Sequence, residues 1–170
     1  APKSIDSGVV EKIAAMASRE HGDARKAVAL LARSAYLAEK AGTKINMEIV
    51  DHAADQLEMD RHLALLRSAP VQMQAVMAAV IETTSKIKKS VITTGQAYEV
   101  YRSFCKKIDL RPLTSRVFGD LISELDIYSL LKSRIISRGR YGRTREIMLN
   151  LPEEVITRIM QTIMTNFQLT

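Results

Sequence analysis

Cationic side chains crowd a short glycine-containing stretch in the last quarter of the sequence. Gly139 and Gly142 give the backbone freedom that a hairpin tip needs, and apolar, alternating segments flank them. Guanidinium groups on such a narrow projection, or wing, can lie along a phosphate backbone or enter a minor groove. Ordinary edge-strand charge that discourages aggregation is the alternative. The candidate phosphate-contacting residues are Arg138, Arg140, Tyr141, Gly142, Arg143 and Arg145.

A second candidate set stands at the start of a helix predicted from the cap Thr114 to about Asp126. The apolar residues expected to face the core are Val117, Leu121, Ile122 and Leu125. The polar, small and basic residues expected to face outward are Thr114, Ser115, Arg116 and Gly119. A helix with such an outer face can enter a major groove by its N-terminal turns.

Arg25 is a third candidate, in the first turn of a predicted helix. The helix dipole is positive there, so a cation is disfavoured unless an anion lies nearby. The free N–H groups of that turn would themselves bind a phosphate. The pattern favours a salt bridge to Asp23, Glu20 or another carboxylate and leaves a phosphate contact open.

No residues have the spacing of a catalytic or metal site. Asp51 and Asp55 share a helix face, but paired acids on an acidic segment are expected to be exposed. Cys105, on an apolar helix face, is expected to fill the core. We predict no catalytic residue and no metal. Solvated or capping roles are expected for the three histidines, His21, His52 and His62.

The elements that would position these residues are mostly helices. Apolar periodicity predicts three short helices in the first part of the chain, beginning near Ser7, Asp23 and Asn46. In the second of them, the residues expected to be buried are Ala27, Val28, Leu30, Leu31 and Leu37. The sequence from Asp60 to Ser68 continues as helix, so we place a domain boundary there, with domains 1–68 and 69–170.

The second part predicts helices from Pro70 and from Thr93 or Thr94, and a turn from Asp109 to Pro112. After the helix from Thr114 come two strands, Leu130 to Arg138 and Arg143 to Leu149, and a last helix from Pro152. A helix-turn-helix followed by a hairpin is a winged helix. The predicted fold class is therefore mainly α with a small β-hairpin: a three-helix bundle followed by a winged-helix domain.

Charge divides between the same two parts. Residues 1–60 carry 8 Lys/Arg against 10 Asp/Glu, whereas residues 61–170 carry 17 against 9. The second part is thus suited to a polyanion, with solvation of a surface as the alternative. No apolar run suggests a membrane span and no signal peptide is evident, so we expect a cytoplasmic protein, nucleoid-associated through its basic part. Because the sequence opens at Ala1 without an initiator methionine, we also expect a piece of a longer chain.

Two motifs resemble a known family. The run from Arg19 to Leu31, with its Gly-Asp-x-Arg at Gly22 to Arg25, closely resembles the lid of the archaeal origin-recognition and cell-division-cycle initiators, which are AAA+ ATPases. The runs from Thr94 to Tyr101, Pro112 to Arg116 and Ser137 to Ile147 resemble the winged helix of the same initiators. One departure is Ser129, where such proteins usually place a glycine.

The resemblance implies a role for each part. Arg25 would be the second sensor, which reaches the terminal phosphate of ATP held by the preceding ATPase domain, and the winged helix would grip double-stranded origin DNA. No G-x-x-x-x-G-K-[ST] loop occurs in this chain. We therefore expect no ATPase activity and no cofactor here, but ATP or ADP with Mg in the intact parent.

The implied partners are origin DNA, the replicative helicase that the parent would help to load, and other copies of the initiator. A winged-helix transcription regulator and a protein-docking module are the alternatives. The Gly-Asp-x-Arg lid argues against a regulator, which would ordinarily carry a dimerisation helix or an effector domain. The arginine-rich wing argues against a docking module.

Overall fold

The computed structural model describes residues 4–18, 24–137 and 143–168. The chain divides into two compact units, Ala1–Arg61 and His62–Thr170. The unit boundary lies inside a helix, whereas the boundary predicted after Ser68 coincides with the end of that helix.

The first unit is built from α1 (Val9–Ser18), α2 (Ala24–Ala41) and the beginning of α3 (Met47–Ser68). The helix cap predicted at Asn46 is confirmed, because its Oδ1 accepts the Ile49 N–H at 2.8 Å. The core that these helices share consists of Val9, Ile13, Leu30, Ala38, Ile45, Val50 and Ala53.

The buried stripe of α2 differs from the predicted one. Val28 and Leu31 are exposed, and the fully buried residues are Leu30, Ser34 and Ala38, which follow one another at intervals of four. Ser34 can be buried because its hydroxyl donates to the Leu30 carbonyl at 2.8 Å. The prediction was right for Leu30 and in part for Ala27 and Leu37, which pack against the core. It was wrong for Val28 and Leu31, and it missed Ser34 because only apolar residues were taken as candidates.

In the second unit, the last residues of α3 are followed by α4 (Val71–Ile87), in which every residue from Met73 to Ile81 is buried. A helix buried all round serves as a central support. The elements arranged about it are β1 (Ile92–Thr93), α5 (Thr94–Lys107), α6 (Ser115–Ile127), β2 (Leu131–Ser137), β3 (Arg143–Leu149) and α7 (Glu153–Asn166).

The strands form an antiparallel sheet in the order β1-β3-β2. The predicted hairpin is confirmed as β2 and β3, paired from Leu131↔Leu149 to Ser137↔Arg143. The sequence did not predict β1, because two residues cannot show an alternating pattern. The predicted start of α5 at Thr93 or Thr94 is confirmed, and Thr93 caps the helix in a capping box with Gln96.

Five of the described helices are followed by a residue in the left-handed conformation, at Gly42, Lys88, Asp109, Ser129 and Gln168. The ends at Gly42, Asp109 and Ser129 are closed by a backbone hydrogen bond that spans six residues. The three bonds run from Thr43 N to Ala38 O, from Leu110 N to Cys105 O and from Leu130 N to Leu125 O, at 2.9, 2.9 and 3.0 Å.

Candidate nucleic-acid interface

The start of α6 is fixed by a cap and a buried face. Thr114 has the predicted capping role: its Oγ1 accepts the Val117 N–H at 3.4 Å. Phe118, Ile122 and Leu125 are completely buried. The outward-facing residues predicted at the first turn, Ser115 and Arg116, are exposed.

Val117 corrects the predicted core face, since its side chain is 39% exposed while Phe118 is buried. Ile122 and Leu125 are buried as predicted, but Phe118 was missing from the predicted set; residues 117 and 118 both fit the helical period, so periodicity could not choose between them. The Phe118 ring packs against Tyr98 and Tyr101 of α5, at centroid distances of 5.3 and 5.1 Å, and this contact sets the rotation of α6.

A hydrogen-bond network holds the turn that leads into α6. The Tyr98 hydroxyl donates to the Leu113 carbonyl and the Tyr101 hydroxyl accepts the Leu113 N–H, both at 2.9 Å. The Tyr101 hydroxyl also donates to Gln72 Oε1, and Gln72 Nε2 donates to the Arg111 carbonyl at 3.0 Å. Removal from water raises the pKa of Tyr101 to about 12, so the hydroxyl keeps its proton at neutral pH. The sequence analysis did not identify this network.

The wing presents two different faces, because side chains alternate along a strand. On one face Arg134 forms an ion pair with Glu146 at 2.8 Å. On the other, Arg145 Nη1 donates to the Gly119 carbonyl at 2.6 Å and to Ser123 Oγ at 2.7 Å. Arg145, predicted as a DNA contact, thus uses one of its nitrogens within the domain.

The remaining wing candidates divide by position. Arg143 is exposed in the last described strand pair before the tip. Ile135, opposite Arg145, is 64% exposed and was not among the predicted site residues. The predicted contacts Arg138, Arg140, Tyr141 and Gly142 lie outside the described residues.

Gly119 lies on α6 with open space around it: a Cβ built at this position meets no atom within 4 Å. Gly119 is partly exposed, and its carbonyl oxygen accepts a hydrogen bond from Arg145. Another molecule could therefore approach the helix backbone here.

In the first unit, Arg25 is exposed in the first turn of α2, which has no acidic residue. The neighbouring motif residues Arg19 to Asp23 lie outside the described residues.

Among the residues that the structure describes, no three His, Cys, Asp or Glu side chains come close enough to hold a metal ion. His62 is only 5% exposed, so of the two roles predicted for it the solvated one was wrong. Within the described ranges, no helix is both long and apolar enough to cross a membrane.

Comparison with known proteins gives two family matches. Residues 1–55 match the Cdc6 AAA+ ATPase-type lid domain, and residues 64–159 match the C-terminal winged-helix domain of CDC6. An ORC1-type DNA replication protein from Pyrococcus horikoshii is 39% identical over 88% of the chain, and one from Archaeoglobus fulgidus is 40% identical over 92%. The chain spans 36% and 38% of the length of these two proteins.

Solved structures give the same result. The Aeropyrum pernix ORC1 protein, in a structure described as a complex with DNA, is 33% identical over 95% of this chain, with a TM-score of 0.80 and 42% of that protein covered. Drosophila ORC bound to DNA, at 18% identity and a TM-score of 0.53, shares the fold. The chain belongs to the Cdc6/ORC1 family of replication initiators, of which it comprises the AAA+ lid and the C-terminal winged helix.

Proposed function

We propose that this chain binds double-stranded DNA at replication origins, with the first turns of α6 in the major groove and the wing against the adjacent backbone. The observation that carries the proposal is the placement of exposed Ser115 and Arg116 on the first turn of a helix that follows a helix-turn. The similar Aeropyrum pernix protein is described in complex with DNA, which supports the same partner here.

The charge of the second part supports a polyanionic partner. Residues 61–170 carry 17 Lys/Arg against 9 Asp/Glu. Arg116 and Arg143 have exposed side chains, and no ion pair ties either of them within the described residues. Their charges are therefore available for phosphates or base edges. A docking module would not need this arrangement, and a transcription regulator would not need the lid.

In the intact parent, the chain would act with an ATPase domain and other initiator copies, and would help to load the replicative helicase. Arg25 would contact the terminal phosphate of ATP held with Mg by that domain. Its exposure in the first turn of α2, where N–H groups point outward, is consistent with an anionic partner.

The proposal is tested by titrating host origin duplex and random duplex with wild-type chain and Arg116→Ala. If Arg116 reads a base edge, the substitution should weaken origin binding by about 1–3 kcal/mol more than random binding. Ser115→Ala should have a smaller effect. Arg158→Ala is the matched control, because it removes the same charge from an exposed position on α7.

The same titration, repeated at several salt concentrations, tests the wing. Arg140→Ala combined with Arg143→Ala should weaken binding to every duplex and lower the logarithmic salt slope by about one unit for each lost phosphate contact. Wild-type affinity and slope in this double variant would contradict a DNA-binding wing and favour the docking module. A uniform loss in Arg116→Ala would make that residue a phosphate contact.

A further inference from the structure

Arg145 joins the two elements that the proposed function assigns to DNA. Its Nη1 lies 2.6 Å from the Gly119 carbonyl oxygen and 2.7 Å from Ser123 Oγ. Ser123 Oγ in turn donates to the same Gly119 carbonyl at 3.2 Å. A single guanidinium nitrogen on β3 is therefore bound to two successive turns of α6, and the side chain is partly buried.

A second link between α6 and the sheet lies further along the helix. Asp126 Oδ2 accepts the Ser133 N–H at 3.0 Å and the Ser133 hydroxyl at 2.9 Å. Gly119, Ser123 and Asp126 stand at i, i+4 and i+7, so they form one polar stripe on α6. Ser133 and Arg145 share the face of the sheet that meets this stripe, since Ser133 pairs with Ile147, two residues from Arg145.

The two links have different mechanical effects. Asp126 and Ser133 lie near the short connection between α6 and β2, so their link alone would let the hairpin pivot about its base. Arg145 lies two residues closer to the tip than Ile147, the partner of Ser133, and it contacts Gly119 in the N-terminal half of α6. With both links in place, the angle between wing and helix is fixed.

We propose that Arg145 is a positioning residue that sets the distance between the DNA-contacting turns of α6 and the wing. This inference rests on the proposed function. It assigns to Arg145 a role different from the phosphate contact expected from its sequence position. The link fixes which phosphates the wing reaches when α6 occupies a given set of base pairs, so its loss should reduce sequence preference more than general affinity.

The experiment compares Arg145→Met with Arg143→Met, which removes an exposed charge from the same strand. Two probes are used: the duplex that wild-type chain selects from a randomised library, and a shuffled duplex of the same composition. Arg143→Met should weaken binding to both and lower the salt slope by about one unit. Arg145→Met should weaken binding to the selected duplex by about tenfold, the value of one good base contact, and leave the shuffled duplex and the slope nearly unchanged.

Two further variants separate position from charge. Arg145→Lys keeps the charge but not the reach and fork geometry, so it should fail to restore sequence preference, whereas a phosphate contact would tolerate lysine. Ser123→Ala removes one acceptor without altering charge, and it should lower preference alone but add little to Arg145→Met. Amide exchange of β2 and β3 without DNA should be faster in Arg145→Met and unchanged in Arg143→Met.

Several results would overturn the inference. Equal loss on both duplexes with a lower salt slope in Arg145→Met, or full rescue by lysine, would make Arg145 a phosphate contact. If Arg145→Met proves unfolded in a melting control, Ser123→Ala becomes the deciding variant. Wild-type sequence preference in Ser123→Ala would contradict the link. Failure of wild-type chain to select any duplex would contradict the proposed function itself, while the exchange measurement would still report on the link.

Discussion

At the scale of single residues, α6 ends in a left-handed conformation that favours glycine, but the residue at this position is a serine. Ser129 has φ of 61°, a conformation in which a Cβ is crowded by the backbone. From the family resemblance, we expected a glycine at this position. Its hydrogen bonds and the buried Leu130 that follows it hold the residue in this conformation despite the strain.

Ser129→Gly should therefore raise the free energy of unfolding by about 1 kcal/mol, since the strain is relieved at a modest entropic cost in the unfolded chain. Urea unfolding followed by circular dichroism measures the change. Ser103→Gly is the matched control: Ser103 lies in the interior of α5, where the same substitution should lower stability by a similar amount. A destabilised Ser129→Gly would show that the serine hydroxyl contributes more than the strain removes.

Gly119 allows stability and DNA affinity to be separated at one position. Because a Cβ there meets no atom within 4 Å, Gly119→Ala should stabilise α6 by about 1 kcal/mol through helix propensity. If DNA approaches the backbone at this point, the same methyl group should weaken duplex binding. Thermal unfolding and a binding titration on one preparation give both values, and unchanged affinity would remove Gly119 from the interface.

At the scale of elements, the orientation of α6 depends on polar contacts made by α5. Tyr101→Phe leaves the Leu113 N–H without its acceptor and Gln72 without its donor. The cost should be about 1–3 kcal/mol, because a buried group loses its partner while the ring remains. Tyr98→Phe, which loses only the bond to the Leu113 carbonyl, should cost less. Chemical unfolding of both variants checks this order, and equal costs would contradict it.

The elements themselves could largely be predicted from the sequence, because long periodic segments and caps are local signals. Asn46 and Thr114 were identified as caps from residue type and position alone, and the start of α5 was placed at Thr93 or Thr94. The rotation of α6 could not be predicted, because it depends on Phe118 meeting two tyrosines of another helix. Burial of Ser34 likewise requires a hydrogen bond that hydrophobic patterning does not represent.

The internal role of Arg145 illustrates a signal that was present but not used. Strand alternation places Arg145 on the same face as Ile147 and Leu149, the face that packs inward. Counting arginines around a tip treats all of them as equivalent, although Arg145 lies two residues further from the tip than Arg143 on the same face of β3. At that position it meets Gly119 and Ser123, four residues apart on α6.

At the scale of the whole molecule, the role proposed for Arg25 predicts no nucleotide-dependent activity in this chain by itself. Arg25 is present, but the sequence contains no phosphate-binding loop to hold a triphosphate. We therefore expect this chain neither to bind ATP tightly nor to hydrolyse it. Calorimetric titration with ATP and Mg and a phosphate-release assay test this, and activity in pure chain would contradict it. In an intact parent, Arg25→Ala should impair the response to ATP and leave DNA binding by the winged helix intact.

Cys105 provides the second unit with a chemical reporter of its own opening. It is the single cysteine in the sequence, its side chain is fully buried, and burial raises the pKa of the thiol. Only an exposed thiolate reacts at an appreciable rate, so a disulfide reagent can label the folded chain only through its transiently unfolded fraction. Labelling kinetics on the unaltered protein therefore read out the stability of the winged helix alone. Slower labelling when duplex is added would give the binding energy without an attached dye.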